Sequence, residues 1–140
     1  MKEKPFASLP VFLVDDDTSV LHASAAVLRS AGVTAIRMVD DSRELLPALD
    51  EQPASAVLLD LFMPHITGNK LLPDIVHLYP EVPVIVMTAA QDVETAVRSM
   101  KEGAFDYLVK PVEESRLVAS VRHALEVQSL RRQMGVLKHY

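Results

Sequence analysis

The chain contains no cysteine. That excludes a disulfide scaffold, a thiolate metal site and a cysteine nucleophile. Its five histidines, His22, His65, His77, His123 and His139, are scattered without ligand spacing. They read as surface residues, and only His65 falls near the site reached below, where it can modulate it. No apolar run is long enough to span a bilayer, and Met1-Lys2-Glu3-Lys4-Pro5 leads into no apolar signal region. No membrane partner and a cytoplasmic location are therefore expected. Internal repeats and low-complexity segments are also missing. Positive charge is scarce: residues 1–125 hold 18 acids against 11 Lys and Arg. An acidic body argues against direct nucleic-acid binding by this domain.

What is present is a core. Of 140 residues, 49% are hydrophobic, enough for one domain with a short extension. Four apolar runs each end in a polar residue. Val11–Val14 leads into Asp15-Asp16-Asp17, and Ala56–Leu59 into Asp60. Val84–Met87 leads into Thr88, and Tyr107–Val109 into Lys110-Pro111. Apolar runs of this length, separated by helical patterns, read as buried parallel strands. With a short strand near 33–38 they make five: 11–14, 33–38, 55–59, 83–87 and 106–109.

Helices are expected near 18–31, 42–50, 69–78 and 92–102, with a last one from about 113. Asp17 or Thr18 is placed to cap the first and Gly32 to stop it; Ser42 is placed to cap the second, and Asp92 and Gly103 to bound the fourth. Pro47 and Pro73 interrupt the second and third. Strand–helix alternation predicts an α/β doubly wound parallel sheet, order 2-1-3-4-5, with helices on both faces. In such a sheet ligands bind beyond the carboxyl ends of the strands, at the switch point between strands one and three. Those two strands end in Asp15-Asp16-Asp17 and Asp60.

The last helix carries two stripes. Leu117, Val118, Val121 and Leu125 can pack on the sheet. Val127, Leu130, Met134 and Leu137 recur on a shifted face, beyond the point where such a domain is complete. Residues 1–125 are thus expected to form the domain and 126–140 a helical extension. Its second stripe reads either as a two-helix seam with another copy or as a frayed linker, which Gly135 favours.

The rim has its own chemistry. Carboxylates about 5 Å apart repel by roughly 3 kcal/mol per pair at an effective dielectric near 20. Hard oxygens without Cys or a His pair select Mg²⁺, with Mn²⁺ as a substitute. For Asp15–Asp17 alone a polar, helix-capping turn is the simpler account. Asp60 at the end of another buried strand tips the balance toward a cation site. Lys110 would be an ordinary loop lysine, except that it follows a buried strand and precedes a proline. Its ammonium can then offset the acids and bind a phosphoryl oxygen, and a Lys110–Pro111 bond there is a candidate for cis. The Thr88 hydroxyl can donate to the same oxygen. Tyr107 matters only if Thr88 moves.

These pieces closely resemble the receiver domains of two-component response regulators, which have the flavodoxin-like fold. The matching blocks are Val14-Asp15-Asp16-Asp17, Leu59-Asp60-Leu61-Phe62-Met63-Pro64 with Gly68, Val86-Met87-Thr88-Ala89, and Gly103 through Pro111. They cover about residues 9–125. The resemblance implies that Asp60 accepts a phosphoryl group from a histidine kinase. It implies that Asp16, Asp60 and the Phe62 backbone carbonyl bind Mg²⁺ and that Asp15 holds a metal-bound water. Lys110 would contact the Asp60 carboxylate and then the phosphoryl group. Thr88 would bond a phosphoryl oxygen and draw inward, letting Tyr107 turn in behind it. The affected face is that of the fourth helix, fifth strand and fifth helix. A homodimer through that face or the C-terminal helix would follow.

The wording around Gly103–Pro111 looks most like receivers of sigma-54-dependent transcriptional activators, so a receiver cut from a longer regulator is expected. The rival is a stand-alone receiver acting by protein contact. His22, Val112, His65-Ile66-Thr67 and Asn69-Lys70 depart from common family choices. Phe62 and Ala90 stand at positions that tune phosphoryl lifetime, and neither can orient a water; a long-lived phosphoryl-Asp60 is expected. The domain would be no enzyme in its own right. From other classes, an aspartyl phosphatase would use Asp15 of Asp15-Asp16-Asp17, but no cap domain is evident. A flavin carrier shares the topology, but the acidic first loop would repel its phosphate.

Overall fold

The structure, a computed structural model, describes residues 9–89 and 91–138, the last four by their backbone alone. Five strands, β1 (Val11–Val14), β2 (Ile36–Val39), β3 (Ala56–Asp60), β4 (Val84–Ala89) and β5 (Asp106–Lys110), form one parallel sheet. Its order is β2-β1-β3-β4-β5, as the alternation predicts. The helices are α1 (Thr18–Ser30), α2 (Leu45–Glu51), α3 (Gly68–Leu78), α4 (Val93–Lys101) and α5 (Glu114–Lys138). Among the described residues no helix is long and apolar enough to cross a membrane.

The unbroken apolar runs have a direct cause: both faces of the inner strands are covered. Phe12, Val14, Val57, Leu59, Val84 and Val86 point to one side, against Leu45 and Leu49 of α2 and Leu71, Leu72 and Ile75 of α3. Val11, Leu13, Ala56, Leu58, Ile85 and Met87 point to the other. There they meet Leu21, Ala25 and Leu28 of α1 and Leu117, Val121 and Ala124 of α5. The sheet therefore separates two apolar cores.

Caps and stops follow local chemistry. The Asp17 side chain accepts from the Ser19 N–H at the start of α1, and that of Asp92 accepts from the Thr95 N–H of α4. Gly32 (φ 94°) and Gly103 (φ 109°) take the left-handed backbone that ends α1 and α4.

The structure departs from the sequence expectation in several places: Asp60 and Lys110 lie inside β3 and β5, and β5, read as buried, is an edge strand with Tyr107 and Val109 exposed. β2 begins at Ile36, three residues later, because this edge strand is only partly buried. β4 runs to Ala89, so Thr88 lies within the strand. Ser42 does not cap α2. It opens a 3₁₀ turn (Ser42–Glu44) that Asp41 caps, and α2 starts at Leu45. Pro47 then sits in the first turn of α2, where a missing N–H costs no helical bond. Pro73 lies inside α3 but on its exposed side, away from Leu72 and Ile75.

Where β3 hands over to α3, the chain passes very close to itself. A Cβ on Gly68 would stand 2.5 Å from the Asp60 carbonyl oxygen and 2.7 Å from the Leu61 Cα. Both neighbours are backbone and cannot step aside. Gly68→Ala is expected to lower unfolding stability by about 1–3 kcal/mol, the usual range for forced overpacking. Urea unfolding against wild type checks this, and an unchanged midpoint contradicts it.

Candidate functional site

Register decides what meets at the top of the sheet. Val14 pairs with Leu59, so Asp15, just past β1, and Asp60, the last residue of β3, stand side by side at the same level. Asp60 pairs with Met87, and Ala89 with Lys110. Alternation then directs Asp15, Asp60 and Lys110 toward the α1/α5 side of the sheet. Thr88 is one residue out of step with Met87 and takes the opposite parity.

One carboxylate oxygen from each of Asp15, Asp16 and Asp60 lies within 4.8 Å of the others. Asp15 and Asp60 are 1% and 4% exposed, while Asp16 is open to solvent. The Lys110 ammonium donates to Asp15 Oδ2 at 2.9 Å and lies 3.4 Å from Asp60 Oδ1. It thus bridges both acids, Asp15 the more closely, and the Asp60 contact is the one the family resemblance implies. Asp15 Oδ1 accepts from the Asp17 N–H at 3.0 Å. The Phe62 N–H approaches Asp60 Oδ1 at 3.4 Å, and the Phe62 ring is exposed. Thr88 is buried, its hydroxyl donating to the Ala89 carbonyl at 3.3 Å. Ala90 lies outside the described residues. The Lys110–Pro111 peptide is cis.

Electrostatics at this rim are unbalanced. Burial, and then the nearby Asp15 charge, push the Asp60 carboxyl up to about 6, against the pull of Lys110 and the Phe62 N–H. Burial works against the Lys110 charge, but its bond to Asp15 and the charges of Asp60 and Asp15 outweigh it and hold the ammonium above its usual range. With every group ionised, three carboxylates face one ammonium. The excess of two negative charges on hard oxygens fits a divalent cation of the Mg²⁺ type.

From this rim a cleft of about 700 Å³ runs down between α1 and α5. Asp60 and Lys110 stand at its head; Val20, Val27, Met87 and Leu117 are among its walls. On the far side of β5, Tyr107 faces outward at 39% exposure. Beside it Arg116 of α5 grips the Asp106 carboxylate with two bonds, 3.0 and 3.1 Å, and donates to the Tyr107 carbonyl at 3.2 Å. Ser120 donates to Asp106 at 2.8 Å. Burial opposes the charge of Asp106, but these donors outweigh it and keep the carboxyl below its usual range.

Two contributions were not foreseen. For the Asp106–Arg116 pair the sequence offers only two opposite charges ten residues apart. Ser42 reads as a helix cap. In the structure it is buried, its hydroxyl donating to the Pro64 carbonyl at 2.9 Å and accepting from the Ile66 N–H at 3.1 Å. His65, between those two residues, has a positive φ of 71° and is exposed.

The raised Asp60 carboxyl has a measurable sign. Folding holds its proton more tightly than the unfolded chain, whose reference value is 3.8. The ionised form therefore weighs against the fold, and stability falls as pH rises from about 4 to about 6. Without divalent cations at pH 7.5, Asp60→Asn is expected to be more stable than wild type by on the order of 1–3 kcal/mol. The gap closes as pH falls toward 4. Denaturant unfolding at stepped pH reads it, and a less stable Asp60→Asn at pH 7.5 contradicts it.

Known proteins give the same picture. Residues 11–122 match the family model described as the response regulator receiver domain. A Rickettsia felis protein described as NtrX-like is 37% identical over 134 residues, covering 94% of this chain and 28% of its own length. The DNA-binding transcriptional regulator NtrC of Escherichia coli is 38% identical over 115 residues, which is 82% of this chain and 24% of NtrC. The chain thus spans about a quarter of the length of these curated relatives. The crystal structure of the receiver domain of NtrX from Brucella abortus superposes with a TM-score of 0.78 at 30% identity. The match covers 83% of this chain and 98% of that one. A structure of NtrX from the same organism gives 0.83 at 29% identity, covering 93% of this chain and 29% of its own. With its sheet order, its acid rim and a family match over most of its length, the chain belongs to the response regulator receiver domains, of the NtrC and NtrX type.

Proposed function

We propose that this domain is a phosphorylation-controlled switch in which Asp60 takes the phosphoryl group from a sensor histidine kinase. The observation that carries the reading is Asp60 itself, buried beside Asp15 with one ammonium in reach. In the transfer an Asp60 carboxylate oxygen forms the new bond to phosphorus. The phosphorus–nitrogen bond of the phosphohistidine breaks, and its electron pair leaves with the imidazole. Asp16, Asp60 and the Phe62 carbonyl would hold Mg²⁺, with Asp15 binding one of its waters. Mg²⁺ supplies positive charge to the oxygens of the transferred group. Lys110 lies between Asp15 and Asp60 and is placed to bind one of those oxygens. The α1/α5 cleft offers the partner apolar walls leading to Asp60.

The output side follows from Thr88 and Tyr107. A new phosphoryl oxygen gives the Thr88 hydroxyl a charged acceptor in place of the Ala89 carbonyl. Its inward draw makes room for Tyr107, now outside. Taking such a two-state equilibrium from 1:99 to 99:1 needs about 5.5 kcal/mol of differential contact. Charge-assisted bonds from Lys110 and Thr88, with the cation, are of that order. Val93, Val97 and Met100 of α4 and Val109 of β5 are exposed, as Tyr107 is, on elements of the α4–β5–α5 face. This face, or the α5 extension beyond residue 125, would carry a homodimer. Leu130 and Met134 support the second, since both are exposed on a helix that continues unbroken. The side chain of Leu137 lies outside the described residues. The long-lived phosphoryl group expected from Phe62 and Ala90, a cytoplasmic location and regulation of transcription complete the proposal.

Incubation with Mg²⁺ and a small acyl phosphate is expected to add one phosphoryl group to wild type and none to Asp60→Asn, read by intact mass. Addition to both would assign the chemistry to another residue. The paired change Leu130→Asp and Met134→Asp is expected to shift sedimentation toward monomer, and an unaltered dimer would move the interface off α5.

A further inference from the structure

We infer that Ser42 is a positioning residue for the loop that follows Asp60, and so sets the cation affinity of the rim. The inference rests on the reading of Asp60 and Phe62 as cation ligands. Residues 61–67 leave β3 at Asp60, carry Phe62, and re-enter regular structure at Gly68. The ends of this loop are fixed. Gly68 donates its N–H to the Leu61 carbonyl at 3.1 Å and admits no Cβ against the Asp60 carbonyl. The middle has no ladder and no helix of its own. It also contains His65 in the left-handed region, a backbone state that a side chain disfavours.

Met63 is buried in the α2/α3 core and Ile66 packs against it, and one buried hydroxyl closes the backbone between them. Ser42 is 2% exposed, and its Oγ spans 22 residues to reach the Pro64 carbonyl and 24 to reach the Ile66 N–H. The two bonds bracket His65. A hydroxyl is among the few groups that donate and accept at one atom. Ser42 itself is held from its own side. Asp41 caps its 3₁₀ turn, accepting from the Arg43 N–H at 3.0 Å, and pairs with the Arg43 guanidinium at 2.7 Å. Leu45 next along is fully buried in the α2/α3 core. The turn after β2 is thus a fixed post, and Ser42 ties the loop to it. With the tie cut, the Pro64 carbonyl and Ile66 N–H lose a shared partner and turn toward water. Met63, buried in the α2/α3 core, joins Pro64 to Phe62, so slack on the Pro64 side reaches the Phe62 carbonyl through that one residue.

The experiment uses Mn²⁺ as the probe, bound ion being read as loss of the free-ion paramagnetic resonance signal. Ser42→Ala is expected to weaken Mn²⁺ binding roughly tenfold, the lower end for partners that orient metal ligands. The Mg²⁺ concentration for half-maximal phosphorylation rises by the same factor, while the rate at saturating Mg²⁺ holds. Ser42→Thr, which keeps the hydroxyl, restores affinity. Ser55→Ala is the control: its hydroxyl is buried with no partner among the described residues, at the opposite end of β3. It should leave Mn²⁺ binding alone whatever it does to the melting temperature. Wild-type affinity in Ser42→Ala overturns the inference, however far its melting temperature falls. If Ser42→Ala does not fold, Ser42→Cys, which keeps the volume and weakens both bonds, is read by the same criterion. Wild type that binds no Mn²⁺ removes the proposed cation site, and this inference with it.

Discussion

Two buried carboxylates share one ammonium at the carboxyl end of this sheet, and the arrangement of the domain turns on that imbalance. Asp15 and Asp60 are brought side by side by the pairing of β1 with β3. Neither can retreat into water without unpairing a central strand. Lys110 arrives from β5, two strands from Asp60, and binds Asp15 more closely. What remains is a carboxyl held near 6 by burial and like charge. A group in that condition favours whatever neutralises it. The same apolar packing that stabilises the sheet therefore maintains the demand for a cation or a proton at its rim.

Much of this was legible because two-sided burial leaves a strong trace. A strand covered on both faces needs apolar residues in succession, so Val11–Val14, Ala56–Leu59 and Val84–Met87 stood out, and their polar endings marked the rim. Caps and glycine stops are local chemistry, so Asp17, Asp92, Gly32 and Gly103 were legible too. The edge strand β2 was less so, since Ile36–Val39 is only partly buried and has no continuous signal. On α5 the buried side is Leu117, Val121 and Ala124 with the polar Ser120 and Gln128, and Leu125 is only half-buried. Hydrophobicity alone could not select Gln128.

Long-range polar contacts were the least legible part of the site. Ser42 lies more than twenty residues from the loop it bonds, and a serine after two aspartates looks like a cap. The preference of Lys110 for Asp15 depends on sub-ångström placement across three strands. Asp106 and Arg116 are ten residues apart in a stretch rich in charge. Each of these contacts depends on tertiary geometry, which leaves no periodicity behind. They are also the contacts that tie loops and edges to the two cores, and so control how far the rim and the Tyr107 side can shift.

Helix α4 stands apart from its neighbours. Its buried side is Thr95, Ala96 and Ser99, while Val93, Val97 and Met100 face solvent. None of its side chains joins either apolar core. Burying so little greasy surface, it has less to lose by tilting or fraying than α1 or α3. Beside β4 and β5 the fold thus places a helix with less apolar anchoring than α1 or α3. A shift at the end of β4 meets least apolar resistance on that side of the sheet.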